Sequence, residues 1–285
     1  MIKAIATDLD GTLFYPKKRI FMITNKNKKF IKEFVSKGNK IIIVTGRNSH
    51  TYNRLSRKLG CDISLVGCNG ALVIDNKKII LEKFLDKAKV KDIYESLNKE
   101  ENSKIMCWMV FTSKGRLYIE VKNKNPFIKL LFRIVMLLEG AYRDKYRYGK
   151  RRLEYLFSSK CEEKIYKIMP CYGWTKKHKE NARLDWLKLS NRYEEKLSIT
   201  WSDAAVEIVS ANTSKSKSLK ELINYYNLKD DEVAVIGDSG NDISLFEEFY
   251  ENSYVMFHAR KEIKAKAKHV VNSVNDIRKY LEREE

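Results

Sequence analysis

Asp8-Leu9-Asp10-Gly11-Thr12 follows the mostly apolar run Ile2–Thr7, and the reading of the whole chain turns on it. In a strand, residues two apart point the same way, so Asp8 and Asp10 project from one strand end into one space. Gly11 lets the backbone turn sharply there, and Thr12 is suited to cap the next element. Taken alone, the stretch also fits an Asx-type turn whose acids satisfy backbone donors. A second acidic cluster, Gly237-Asp238-Ser239-Gly240-Asn241-Asp242, follows the apolar run Val233–Ile236. Its glycines free the backbone, its aspartates offer oxygen ligands, and the Asn241 amide is a hydrogen-bond donor. If the two runs are neighbours in a parallel sheet, four carboxylates meet at the carboxyl ends of strands, where open α/β sheets bind ligands. Such a pocket suits a hard divalent cation and a phosphate.

Outward from these clusters, strand and helix signals alternate. Phe30, Ile31, Phe34 and Val35 mark a helix face stopped by Gly38, and Lys40–Thr45 is a β-branched run short enough for a buried strand. Tyr52, Leu55 and Leu59 mark another helix, Ile63–Val66 a strand, and Ala71–Ile74 with Ile79–Leu81 a hairpin. Towards the other end, Val206–Val209, a helix through Leu219, Leu222 and Ile223, and Val233–Ile236 resume the rhythm. The expected fold class is α/β: a Rossmann-like parallel sheet with helices on both faces. Residues 84–202 break the alternation and read as an α+β module inserted into a core made of 1–83 and 203–285. Within the module Leu153–Phe157 reads as strand and Glu162–Met169 as helix. Thr45-Gly46 offers a hydroxyl and a glycine N–H at a strand-to-helix junction, which fits a phosphate cradle or a simple helix cap.

Apolar residues make up 44% and charged residues 33% of the 285, an ordinary globular composition. Five cysteines form no CxxC pair and read as reduced thiols, so the expected location is cytoplasmic. Four histidines show no zinc-ligand spacing. The longest apolar stretch, Phe127–Leu138, is interrupted by Lys129 and Arg133 and is shorter than the roughly 20 residues a membrane span needs. Its face of Phe127, Leu130, Leu131, Ile134 and Leu138 either packs on the module's own sheet or lies on a membrane. The net charge is +19, and residues 84–202 hold 27 Lys/Arg against 15 Asp/Glu. Basic surfaces attract phosphorylated metabolites, nucleic acid or acidic lipid, although solvated lysine faces are the plainer reading. The interleaved basic and aromatic run Arg143–Arg152 is an exposed turn or a nucleic-acid contact. Trp108, Trp174, Trp186 and Trp201 are core residues or line a substrate entrance.

Four motifs in order, DLDGTL from Asp8, VTGR around Thr45, SKxxxL at Lys215 and GDSGND around Asp238, make the chain resemble the haloacid dehalogenase (HAD) superfamily of phosphohydrolases. The resemblance is to its Cof-like group, whose large α+β cap (type IIB) is inserted between the second and third motifs. It implies a Mg²⁺-dependent phosphatase of small phosphomonoesters, such as sugar phosphates, working through an aspartyl-phosphate. Asp8 would then be the nucleophile and Asp10 the general acid and base. Mg²⁺ would sit among the Asp8 carboxylate, the Asp10 carbonyl, Asp238 and, directly or through water, Asp242. Thr45, with Gly46 beside it, and Lys215 would hold the transferring oxygens. Asn241 would position the metal-side loop and Asn69 would reach the phosphate, while the cap would choose the substrate. Lys217 is the rival for Lys215. One departure stands out: relatives usually carry Met-Gly-Asn-Ala where this chain has Met256-Phe257-His258-Ala259. The alternatives are phosphoryl transfer to another hydroxyl, as in related phosphomutases, and a nucleic-acid-binding protein with a basic cap; no membrane span is expected.

Overall fold

The computed structural model describes residues 1–16, 23–99, 104–123, 125–138, 145–173 and 175–281. Arg143, Asp144 and Trp174 of the segments discussed above lie outside them. The chain enters through β1 (Ala4–Thr7), buried along its whole length. α1 (Asn25–Ser36) starts where the Thr24 hydroxyl accepts the Asn27 N–H, and it buries the periodic residues Phe30, Ile31 and Phe34. β2 (Lys40–Val44) and α2 (His50–Leu59) follow, the helix ending at Gly60 in the left-handed conformation. β3 (Ser64–Gly67), β4 (Leu72–Asp75) and β5 (Lys78–Glu82) come next, with β4 antiparallel to both of its neighbours.

Contacts divide the chain into two compact units, Met1–Glu82 with Ser214–Glu285, and Lys83–Thr213. The second unit begins with α3 (Lys87–Lys99), β6 (Cys107–Thr112) and β7 (Arg116–Val121). It continues through α4 (Pro126–Leu138), β8 (Lys145–Tyr148), α5 (Lys150–Phe157) and β9 (Ile165–Cys171). α6 (Lys176–Arg192), β10 (Leu197–Ser202) and β11 (Ala205–Ser210) complete it. Its sheet has the order β10-β11-β9-β6-β7-β8, with Trp108 fully buried beneath it and Trp186 stacked on Trp201.

Three expectations are corrected here. Val206–Val209 was expected in the core after a boundary at 203, but β11 pairs with β10 and β9 in the second sheet. Only Asp203 and Ala204 separate β10 from β11, with Asp203 at φ 51°, and so tight a hairpin holds its strands in one sheet. The core therefore resumes at Ser214. Leu153, Leu156 and Phe157 are the buried side of a helix, because i, i+3, i+4 spacing is helical; Glu162–Met169 instead leads into β9. β9 lies between β11 and β6 and is buried on both faces, which erases the alternation that marks a strand. Finally, α4 exposes Phe127, Leu130, Leu131 and Ile134 instead of packing them on its own sheet.

In the first unit the chain returns as α7 (Lys215–Tyr225), β12 (Val233–Gly237) and α8 (Ile243–Glu248). β13 (Ser253–Met256), α9 (Lys261–Lys264), β14 (His269–Val271) and α10 (Arg278–Leu281) close it. Its eight-stranded sheet has the order β14-β13-β12-β1-β2-β3-β4-β5, parallel from β14 through β3. Ala4, Ala6, Ile42, Val44, Val235, Leu219, Leu222 and Phe246 form its main apolar core. Chain order runs one way from β1 to β2 and β3, while β12 and its successors lie on β1's other side. β1 is thus the switch point, and open α/β sheets bind ligands beyond the carboxyl end of such a strand.

Candidate active site

Register brings the two acidic clusters together. Thr7 lies opposite both Ile236 of β12 and Ile43 of β2, and the Asp8 N–H donates to the Ile236 carbonyl at 2.9 Å. Asp8, Asp238 and Thr45 therefore leave three adjacent strands at nearly one level. Gly11 adopts φ +84°, and a Cβ there would stand 2.3 Å from Asp238 Oδ2, so the turn tolerates only glycine. The Thr12 hydroxyl donates to Asp238 Oδ1 at 2.9 Å, a role beyond the helix cap read from sequence.

Lys215 opens α7, capped by Ser214, and is buried. Its ammonium donates to Asp242 Oδ1 at 2.7 Å, Asp8 Oδ1 at 2.8 Å and Asn241 Oδ1 at 3.1 Å. Lys217 is exposed and its backbone N–H donates to the capping Ser214 hydroxyl at 3.1 Å, so Lys215 is the lysine in the cluster. The other Asp242 oxygen accepts the N–H groups of Asp238 and Ser239 at 3.0 and 3.1 Å and the Ser239 hydroxyl at 3.2 Å. Asn241 works here through its amide oxygen, which also accepts the Ser239 hydroxyl at 2.8 Å. Thr45 is buried; its carbonyl accepts the Asn69 N–H at 3.2 Å and its hydroxyl accepts the Arg47 N–H at 3.2 Å, with Gly46 between them in the turn. A Cβ on the next glycine, Gly70, would meet the Ser214 carbonyl at 2.2 Å, so this close pass ties the Asn69 turn to the start of α7.

Two neighbours were not singled out as site residues from sequence. Arg47 grips Asp10 with both arms, Nε to Oδ2 and Nη2 to Oδ1, each at 2.7 Å. The signal was present in the quoted VTGR stretch, but only the adjacency of β1 and β2 aims the guanidinium at Asp10. His258, the departure noted above, places Nε2 3.5 Å from Asp238 Oδ2 and stacks on Tyr15 at 4.2 Å between ring centroids. Phe257 meets the same tyrosine edge-on.

The electrostatics are unbalanced. Burial, offset in part by Lys215 and reinforced by Asp242 and Asp238, raises the Asp8 carboxyl well above the usual carboxylate range. Burial and the Asp242 charge push Asp238 up to about 7. For Lys215, burial favours the neutral amine, yet Asp242 and Asp8 overcome it and hold the ammonium above the ordinary lysine range. Burial, with Lys264 nearby, keeps His258 below its usual value, so the imidazole adds little positive charge. Asp8, Asp238 and Asp242 offer oxygens that all lie within 4.8 Å of one another. Three carboxylates against one ammonium leave negative charge uncompensated, and an oxygen-only donor set is what a hard divalent cation selects. Asp8 and Asp238 fit such an ion as direct ligands. Asp242 holds Lys215 with one oxygen and its own loop with the other.

A family profile described as haloacid dehalogenase-like hydrolase matches residues 5–280. The 5-amino-6-(5-phospho-D-ribitylamino)uracil phosphatase YwtE of Bacillus subtilis (strain 168) is 28% identical, over 95% of this chain and 93% of its own length. Among solved structures, a haloacid dehalogenase-like hydrolase from B. subtilis superposes with a TM-score of 0.80 at 22% identity, covering 98% of this chain and 100% of its own. The HAD subclass IIB sugar phosphatase BT4131 superposes at 0.74 with 19% identity, covering 98% of each chain. At these identities the two superpositions establish the fold, while the profile match spans nearly the whole chain. On that ground the chain belongs to the haloacid dehalogenase-like hydrolases.

Proposed function

We propose that this protein is a Mg²⁺-dependent phosphatase that hydrolyses a small phosphomonoester through an aspartyl-phosphate on Asp8. The observation that carries the reading is the buried Lys215 ammonium shared by Asp8 and Asp242 at 2.8 and 2.7 Å, beside a third carboxylate, Asp238. An Asp8 oxygen attacks phosphorus as the ester P–O bond breaks, and Asp10 delivers a proton to the departing alcohol. Asp10 then takes a proton from water as that water attacks phosphorus and the Asp8–phosphorus bond breaks, releasing inorganic phosphate. Arg47 engages both Asp10 oxygens, so proton delivery requires one of those two bonds to open. Lys215 keeps positive charge beside the nucleophile, and Thr45, Gly46 and the Asn69 turn supply hydrogen bonds for the transferring oxygens. Asn241 orients the loop that carries Asp238.

Mg²⁺ held by Asp8, the Asp10 carbonyl and Asp238, with Asp242 behind them, would supply the charge that keeps Asp8 ionised and offset its repulsion from a dianionic phosphate. The substrate-selecting role falls to the inserted unit, and the site of action is the cytosol; among the described residues no helix is long and apolar enough to cross a membrane. The chosen substrate class, a small phosphorylated metabolite, accords with the activities of two similar proteins, a 5-amino-6-(5-phospho-D-ribitylamino)uracil phosphatase and a sugar phosphatase. Phosphate release from a panel of phosphomonoesters tests the reading, with chelated enzyme and Asp8→Asn as controls. Release that persists undiminished in Asp8→Asn would overturn it.

A further inference from the structure

α4 carries an apolar row that the rest of its unit does not cover. Phe127, Leu130, Leu131 and Ile134 stand at i, i+3, i+4 and i+7, one face of the helix. They are 71%, 53%, 50% and 43% exposed, and Ile128 beside them is 40% exposed. On the opposite side, Met136 and Arg133 make the helix's contacts with its unit. Met136 is buried, and the Arg133 guanidinium lies over the Tyr148 ring of β8 at 4.7 Å. The apolar row therefore points away from the rest of its unit. Isolated exposed leucines are ordinary, but a contiguous apolar face of this kind marks an interaction site.

Charge decides between occupants. α4 contains two basic residues and no acid, and residues 122–152 hold ten Lys/Arg against two Asp/Glu. Lys129, Arg133, Lys145, Lys150, Arg151 and Arg152 of that stretch are exposed. A second copy seated on this face would bring two such segments together in a chain that already carries +19. Nucleic acid would satisfy the basic residues but leave the apolar row in water. A bilayer surface rich in anionic phospholipid satisfies both, because acyl chains lie directly beneath negative headgroups. At 13 residues the helix is about 20 Å long, too short for a hydrocarbon core of about 30 Å, so it lies in the plane of the interface.

We propose that α4 is an interfacial helix that docks the protein on anionic lipid, with Phe127, Leu130, Leu131 and Ile134 entering the acyl boundary and the exposed Lys/Arg of the 122–152 stretch meeting headgroups. This function is independent of phosphate-ester hydrolysis. The test is co-sedimentation of the full chain with phosphatidylcholine vesicles, with and without phosphatidylglycerol. Wild-type protein is expected to sediment with the anionic vesicles alone. Phe127→Ser/Leu131→Ser should weaken that binding at least about tenfold while phosphate release and the circular dichroism spectrum stay unchanged. Three results would overturn the proposal. One is no binding to anionic vesicles; another is binding that the double variant leaves intact, which marks bulk basic adsorption. The third is a wild-type dimer that the double variant dissociates in the absence of vesicle binding, which assigns the face to a second copy.

Discussion

Each of the two units buries a lysine against carboxylate, and the pairs differ in balance. In the inserted unit, Lys167 on β9 meets Glu207 on the neighbouring β11 at 2.7 Å, the two side chains 2% and 7% exposed, with the ammonium over the Phe111 ring. One positive charge faces one negative charge across a strand pair. In the unit of Met1–Glu82 and Ser214–Glu285, Lys215 meets Asp8 and Asp242, and Asp238 stands within the same cluster. The first pair matches one ammonium with one carboxylate and joins two neighbouring strands. The second is short of positive charge, and burial, with the neighbouring carboxylates adding to it, raises the carboxyl pKa of both Asp8 and Asp238. A buried ion pair that balances is architecture, whereas one that does not fits the cation and phosphoryl group proposed for this site.

The contrast breaks most sharply at Asp8. Asp8→Asn should lower phosphate release by at least about 10⁴-fold, by analogy with loss of a covalent nucleophile. The same variant should raise the melting temperature of metal-free protein, because an amide stands in for the neutral acid that burial favours there. Removing either lysine strands buried carboxylate and should cost about 3–5 kcal/mol in denaturant unfolding. The two sites then part: Lys167→Met/Glu207→Leu should recover stability and keep full activity, whereas Lys215→Met abolishes turnover with or without compensation.

Proton linkage gives the next effect. Asp8 and Asp238 bind protons more tightly in the folded chain than in the unfolded one, Asp238 moving from 3.8 to about 7. Between those values the folded state holds more protons, so chelated protein should lose stability as pH rises from about 4 to 7. Mg²⁺ at a hundredfold excess over its Kd should add about 2.7 kcal/mol, a rise of about 5 °C or more in Tm near pH 7.5, and far less at pH 5. Thermal melts at the two pH values, with and without Mg²⁺, read this directly; no Mg²⁺-dependent shift at pH 7.5 would remove the cation argument. The smallest effect is at Arg47, whose two bonds to Asp10 belong to neither buried pair. Arg47→Lys keeps the charge and loses the fork, and turnover should change about tenfold with little change in Tm.

Much of the catalytic unit was legible because its signals are local. Asp8 and Asp10 end an apolar run, Gly11 needs a positive φ, and the Gly237–Asp242 loop follows a second run of strand length. The same locality misled in the inserted unit. β9 is buried on both faces and loses the period of two, and α5 is a single short amphipathic helix, so each was read as the other type. Lys215 was separable from Lys217 by motif alone, but nothing local revealed that Arg47 would hold Asp10, and the Met256–Ala259 departure left open whether His258 bonds the site loop, touches substrate or is structural. Those partnerships depend on which strands are neighbours.

The sequence by itself determined the strand-and-turn chemistry of the acidic clusters, the alternation that builds a parallel sheet, and the family. Only the tertiary structure decided the order β12-β1-β2 that converts distant acids into one charge-deficient pocket, the return of the core at Ser214 after β11, and the outward turn of the α4 apolar row. The physical reason is the range of the forces involved. Backbone preference and periodicity act over a few residues, whereas the partners of a buried charge are chosen by register and burial across more than two hundred.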